Sequence, residues 1–484
     1  MEMAGYLSMK LKFTKMKSYV TFIFSSLLWI NIQAQEHEQN YYPPTDPLVQ
    51  AKLETWQDFK FGLLMHWGTY SQLGVVESWS ICPEDEDWCI RRGPFKNDYF
   101  GYVKNYENLQ TTFNPAQFQP EKWAQAANNA GMKYMVFTTK HHDGFCMFDS
   151  KYTDYTVANE KSPFSKNPNA NIALKVFEAF RKEGLWTGAY FSKPDWSNDD
   201  YWDPTFPPYD RNPNYDLTKK PKKWEAFVQF THNQIMELMK DYGKIDLLWL
   251  DGGWVQPMTA TSPRWGYKPV NQDIKMDSLV SEARKLQPGL IVVDRAVEGP
   301  NQNYLTPEQQ IPAKPLPYPW ESCMTMANSW SYVPNDQYKS TAKILENLCL
   351  IVSRGGNYLL NIAPNAQGDW DSIAYQRLEE IGAWMNINGP AIYGSHPVAP
   401  YEVKTEQGTW VFTENDQKEL FALFIPLDFE VMLVELPVSQ LNLNGQKNIT
   451  VLGSSKRYKV KKSATNVFSY DNKGLPQVWK ISNK

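Results

Sequence analysis

The sequence predicts an α/β protein: a (β/α)8-like TIM barrel followed by a C-terminal antiparallel β-sandwich. The first observation behind this reading is a repeated alternation, over about 340 residues, of short apolar runs with longer stretches at helical spacing. The second is a change of grammar past Tyr393, where short strand-like runs follow one another between Gly, Asn and Pro turns. The third is that several apolar runs finish in polar residues, on the edge where barrel enzymes carry their chemistry.

At the start of the chain, Lys10, Lys12, Lys15 and Lys17 precede a mostly apolar run over residues 19–32, which ends in Ile32-Gln33-Ala34. Charged, apolar and small segments in that order make a secretory signal, and the run is short for a membrane span. The expectation is a signal peptide over residues 1–34, cleaved near Ala34, with Met9 and Met16 as alternative starts. The mature protein is then exported, periplasmic or secreted, with no stable membrane insertion after cleavage.

Strands are expected at residues 61–67, 134–141, 186–192, 245–251, 290–295, 320–325 and 357–363. Strands of a parallel sheet are covered on both faces, so they read as continuous apolar runs. Helices are expected at 123–130, 173–184, 223–242, 276–286, 343–354 and 375–387, where apolar residues recur every three or four positions. So many strand–helix units favour a closed barrel over an open doubly wound sheet, and no glycine-rich phosphate loop follows the first strand. The barrel is assigned to residues 35–395. Runs at 409–412, 420–425, 430–436, 449–452 and 477–481 then build a sandwich domain over residues 396–484. Loops at 76–115, 193–222 and 254–272, rich in Pro, Asn and Trp, are expected to project from the active face and shape the pocket.

A chain of 484 residues can bury a large core. Its net charge of −4, with no long run of one sign, excludes the concentrated basic surface that nucleic acid demands. Abundant tryptophan and tyrosine suit stacking on sugar rings and equally suit a core. Cys82 and Cys89 are close enough in sequence to pair, the cysteine total is odd, and no spacing among the five matches a zinc motif. The cysteines are expected to be buried or locally bridged, without a catalytic role. No feature of the sequence fixes an oligomeric state.

The most informative stretch is Ile245-Asp246-Leu247-Leu248-Trp249-Leu250-Asp251-Gly252-Gly253, a strand that stops at a carboxylate and two glycines. A lone strand-end aspartate is more often a cap or turn residue, so its neighbours decide. His66 ends the first strand, His141 and His142 the second, Tyr190 the third, Trp249 and Asp251 the fourth and Arg295 the fifth. A metal site is one reading of His, His and Asp. Adjacent His141 and His142 point to opposite sides of an extended strand, however, unless the strand-to-loop junction turns both inward. Neutral imidazoles, each with one donor and one acceptor, suit sugar hydroxyls better. A serine triad has no Gly-x-Ser-x-Gly elbow to rest on. Glycoside hydrolysis needs a second carboxyl group, and both Glu308 and Glu321 follow the fifth strand. Either could sit against an apolar wall that keeps an acid protonated, and spacing leaves the choice open.

The stretches Phe61-Gly62-Leu63-Leu64-Met65-His66-Trp67-Gly68, Lys140-His141-His142-Asp143-Gly144-Phe145, Leu248-Trp249-Leu250-Asp251-Gly252, Asp294-Arg295 and Asn357-Tyr358-Leu359-Leu360-Asn361-Ile362-Ala363-Pro364 resemble, in this order, glycoside hydrolase family 29, the α-L-fucosidases. The resemblance covers nearly the whole mature chain. It implies an exo-acting, retaining double-displacement enzyme acting on fucosylated oligosaccharides or glycoconjugates, with no cofactor and no metal in the chemistry. By position, it makes Asp251 the nucleophile and His66, His141, His142, Tyr190, Trp249 and Arg295 the fucose pocket, with Glu77 and Trp79 as the Glu–Trp pair of that pocket. Thr306-Pro307-Glu308 resembles the family's acid/base loop, which favours Glu308 over Glu321. A related barrel glycosidase acting on L-galactose or sulfated fucose, and a carbohydrate-binding protein without activity on the same scaffold, are the alternatives.

Overall fold

The computed structural model describes residues 40–83, 89–258, 270–428, 433–443, 445, 448–461, 466–470 and 474–482. The predicted signal segment lies outside the described residues, as do 259–269 of the third loop and the start of the strand predicted at 430–436.

Seven parallel strands form one curled sheet: β1 (Phe61–Met65), β2 (Tyr134–Lys140), β3 (Trp186–Ser192), β4 (Leu247–Asp251), β5 (Ile291–Asp294), β6 (Glu321–Thr325) and β7 (Asn357–Asn361). Their order, β5-β4-β3-β2-β1-β7-β6, leaves a single break between β5 and β6. The segment 302–309 occupies it. Asn303 donates its backbone N–H to Val292 O at 2.9 Å and accepts from Val292 N on its side-chain oxygen at 2.8 Å. On the other side, Glu321 N donates to Leu305 O at 2.8 Å and Gln309 N to Cys323 O at 2.9 Å. This irregular stave completes the ring and carries Glu308.

Strand residues alternate between two apolar environments, as a period of two requires. Leu63, Met135, Phe137, Phe191, Leu248, Leu250 and Val292 face outward into the main core with the surrounding helices. Leu64, Tyr134, Val136, Tyr190, Trp249, Val293 and Leu359 fill the barrel's interior. The helices are α1 (Pro47–Phe59), α2 (Tyr99–Glu107), α3 (Pro120–Asn129), α4 (Ile172–Lys182), α5 (Pro221–Asp241), α6 (Met276–Leu286), α7 (Thr341–Val352) and α8 (Ser372–Asn388). Those from α3 to α8 match the predicted helices to within a few residues at each end.

Helix α1 had not been expected, although its signals are in the sequence. Asp46 caps it by accepting from Leu48 N at 2.9 Å, Pro47 opens it, and Val49, Leu53 and Trp56 recur on one buried face. Trp56 stacks on Tyr304 with centroids 4.0 Å apart and meets Tyr134 edge-on at 6.1 Å. Asn357, the first residue of β7, donates to Trp56 O at 2.7 Å. The helix therefore closes the N-terminal mouth of the barrel.

From Ser395 the chain is antiparallel. Strands β8 (Ser395–Lys404), β9 (Gly408–Asn415), β10 (Leu420–Pro426), β12 (Asn448–Val451), β13 (Arg457–Lys459) and β15 (Gln477–Ser482) form a sheet in the order β13-β12-β15-β10-β9-β8. A two-stranded sheet of β11 (Leu433–Leu436) and β14 (Asn466–Ser469) faces it. Trp410, Phe412, Phe424, Val434, Phe468 and Trp479 lie between the sheets. Alternate residues Val411, Phe421, Leu423 and Val478 face the barrel's outer core, and Trp384 of α8 donates to Pro476 O at 2.6 Å. Strands β8, β13 and β14 had not been predicted.

Candidate active site

The inward positions at the C-terminal strand ends converge. Leu64 points into the barrel and His66 follows two residues later; Trp249 and Asp251 on β4, and Val293 and Arg295 on β5, repeat the relation. On β2 the register shifts between Thr138 and Lys140, an irregularity that breaks the parity. Lys140 turns outward to Asp195 at 2.9 Å and Gln234 at 3.1 Å, and both following histidines enter the pocket with ring centroids 4.1 Å apart.

Asp251 sits at the centre. Its Oδ1 accepts from Gly252 N at 2.8 Å and from Arg295 at 3.1 Å, and its Oδ2 from the Tyr190 hydroxyl at 2.7 Å. Burial pushes the carboxyl up, but Arg295 foremost, with His142 and Tyr190, outweighs burial and holds it well below the usual carboxylate range. The glycine after it has a structural reason. Gly252 has φ +90°, and a Cβ there would meet Pro194 Cδ at 2.4 Å.

Arg295 lies across Asp251 and Glu308: one terminal nitrogen binds the aspartate and the other Glu308 Oε2. Glu308 Oε1 accepts from the Trp330 indole at 3.1 Å. The guanidinium also lies over the Trp249 ring, 5.4 Å from its centroid.

The histidines are buried, and burial lowers the pKa of each, that of His142 to about 3, so all three are neutral imidazoles. His66 Nδ1 donates to Asn361 Oδ1 at 2.9 Å, which leaves Nε2 as an acceptor for a ligand. His141 Nδ1 pairs with Ser78 Oγ at 2.5 Å, and that hydroxyl also accepts from Asp143 N at 3.0 Å. His142 Nδ1 is buried with no partner among the described residues. Its ring is walled by Trp79 at 5.3 Å, Trp196 at 5.1 Å and Trp254 at 5.1 Å.

Glu77 is buried in this group at φ +22°, its N–H donating to Ser331 Oγ at 3.1 Å. Burial raises its carboxyl to about 8, with the charges of Glu308 and Asp251 adding to the effect. Glu321 is placed differently. It lies in the barrel interior, fully buried, accepting from the Tyr134 hydroxyl at 2.5 Å, the Tyr304 hydroxyl at 3.2 Å and the Trp249 indole at 3.3 Å. Burial raises it to about 7. No hydrogen bond or ion pair links it to Asp251 or Arg295 among the described residues.

One group among the described residues has metal-ligand character: His141, His142 and Asp251, whose donor atoms lie within 4.8 Å of one another. Both oxygens of Asp251 already accept hydrogen bonds, His141 Nδ1 is engaged by Ser78, and the adjacent Arg295 opposes a cation electrostatically. The set suits a neutral polar ligand better. Asn361, Ser78 and Trp330 were not singled out in the sequence. Asn361 lies in a quoted motif and ends β7 facing inward, a usable signal, whereas Trp330 in a loop carries none.

A family model described as Alpha-L-fucosidase matches residues 28–390. Tissue alpha-L-fucosidase of Mus musculus is 30% identical over 395 residues, covering 78% of this chain and 79% of its own length. The Homo sapiens tissue enzyme is 28% identical, covering 87% of this chain and 86% of its own. Among solved structures, alpha-L-fucosidase isoenzyme 1 from Paenibacillus thiaminolyticus superposes with a TM-score of 0.70 at 28% identity, covering 90% of this chain and 99% of that one. No helix among the described residues is long and apolar enough to cross a membrane.

Proposed function

The chain belongs to the alpha-L-fucosidase family, a family of glycoside hydrolases, and from that premise we propose that it removes terminal α-linked L-fucose from fucosylated oligosaccharides or glycoconjugates by double displacement, with Asp251 as nucleophile and Glu308 as acid/base. The observation that carries the assignment is the single guanidinium of Arg295 spanning both carboxyl groups. Two carboxyl groups held by one guanidinium face a common space, the paired arrangement that double displacement uses.

In the first step, an Asp251 oxygen forms a bond to the anomeric carbon as the glycosidic C–O bond breaks, and a proton from Glu308 goes to the departing oxygen. In the second, Glu308 takes a proton from water, the water oxygen bonds to the anomeric carbon, and the Asp251 ester bond breaks. Glu308 Oε2 rests on Arg295, so this oxygen turns from the guanidinium to the departing oxygen in the first step. The three neutral imidazoles and Glu77 supply hydroxyl partners, and Trp249 and Trp79 supply apolar wall. The triple engagement of Glu321 supports a structural carboxylate there.

Asp251→Ala is expected to lower kcat about 10⁴-fold on every fucoside with the fold intact. Glu308→Gln is expected to spare substrates whose leaving group departs unprotonated and to lose those that need a proton. Near-normal turnover by Asp251→Ala would remove it from the role. The lysine-led apolar start of the chain supports export, periplasmic or secreted, and N-terminal sequencing of the exported protein, beginning near Gln35, tests it.

A further inference from the structure

Trp330, in the loop after β6, touches both halves of the site. Its indole N–H donates to Glu308 Oε1 at 3.1 Å, and its ring lies against His66 with centroids 5.3 Å apart. Its carbonyl oxygen accepts from Asn361 Nδ2 at 2.7 Å, and the other end of that amide fixes His66 through Nδ1 at 2.9 Å and the backbone N–H at 3.2 Å. The next residue, Ser331, accepts from Glu77 N at 3.1 Å and donates to Val75 O at 2.6 Å. A two-residue stretch thus ties Glu308, His66 and Glu77, which come from three different loops and strands, to one another.

We propose that Trp330 is a positioning residue for the acid/base: its N–H holds one oxygen of Glu308 while the other leaves Arg295 and turns to the glycosidic oxygen. The proposal rests on the reading of Glu308 as acid/base. The argument for it is geometric. Glu308 has two anchors, one on each oxygen: Arg295 holds Oε2 and the Trp330 indole holds Oε1, so the oxygen that turns to the glycosidic bond parts from one while the other stays held. A neutral donor can bond to a carboxyl oxygen in either protonation state, whereas a guanidinium strongly favours the ionised form. Without the indole N–H, a half-exposed glutamate freed from Arg295 has no partner to fix its direction, and misplacement by about 1 Å costs on the order of 10²-fold in rate. The Asn361 amide ties the backbone carbonyl of the same tryptophan to the imidazole that meets the sugar, so the pocket and the aimed acid are linked through one residue.

The test is Trp330→Phe, which keeps a ring against His66 and removes the N–H. The readout is kcat/KM, which reports the first chemical step, on two substrates: a fucosylated lactose, whose departing oxygen needs a proton, and α-L-fucosyl fluoride, whose leaving group does not. The expected result is a loss of about tenfold or more on the oligosaccharide with the fluoride within about twofold of wild type. Trp330→His, which restores a ring N–H, is expected to recover part of the loss. Equal changes on the two substrates, including no change, would overturn the proposal, since a merely structural role does not distinguish leaving groups. A wild-type enzyme inactive on both substrates would instead overturn the functional reading beneath it.

Discussion

The hydroxyl of Tyr190 donates to Asp251 Oδ2 at 2.7 Å, so the central carboxylate is aimed by a side chain from the neighbouring strand as well as by Arg295. Burial holds the Tyr190 phenol protonated far above its ordinary range, which keeps it a donor at any working pH. It also stacks between Trp249, 5.3 Å away, and His141, 5.8 Å away. Tyr190→Phe preserves the stack and removes the donor. A hydrogen bond to a charged group contributes about 1.5–3 kcal/mol, so kcat/KM on an aryl fucoside is expected to fall by about tenfold to a hundredfold. An unchanged rate would mean that Arg295 and Gly252 alone orient Asp251.

Glu321→Gln separates the interior carboxyl from the pair proposed to react, Asp251 and Glu308. The folded protein holds Glu321 at about 7 against an ordinary 4.5, so the unfolded chain gives up this proton at lower pH than the folded one. Its contribution therefore destabilises the fold progressively as pH rises from about 4.5 to about 7, by something on the order of 3 kcal/mol in full. Glutamine presents an oxygen to Trp249 and Tyr304 and an amide to Tyr134 and does not titrate. The variant is expected to match wild type near pH 4, to exceed it in urea unfolding at pH 7, and to retain kcat within about threefold. Glu77 shifts in the same direction in both proteins and cancels from the difference. A collapse of activity with the fold intact would return Glu321 to the list of reacting groups.

Trp56→Ala addresses the helix that closes the barrel. Trp56 is fully buried, stacks on Tyr304 and accepts at its carbonyl from β7. Removing a large buried ring costs about 3–5 kcal/mol. Urea melts should report a loss of that size, and a loss below about 1 kcal/mol would show that α1 contributes little to the barrel floor.

The parallel strands were legible because burial on both faces writes them as apolar runs, and the polar residue that ends each run lies two positions beyond an interior one. His66, Asp251 and Arg295 follow from that parity. The pair His141 and His142 does not, because the shifted register of β2 that sends both inward depends on pairing with β3 and has no local signature. The stave at residues 302–309 was equally hidden: it holds its place through bonds to β5 and β6 and has no apolar period of its own. Helix α1 was legible in its Asp46-Pro47 start and its Val49, Leu53, Trp56 spacing, but strong caps on a single helix ahead of the first strand do not announce what the helix covers. Glu308 and Glu321 could be separated only by what surrounds them, a largely buried guanidinium and an indole for one and three interior donors for the other.

The seal formed by Trp56, Tyr304 and the interior of the barrel makes the site a cul-de-sac. A sugar enters and departs through the same opening, past the glycan to which it was attached. The freed monosaccharide thus leaves by the way the next substrate must come, and the two compete for the same space.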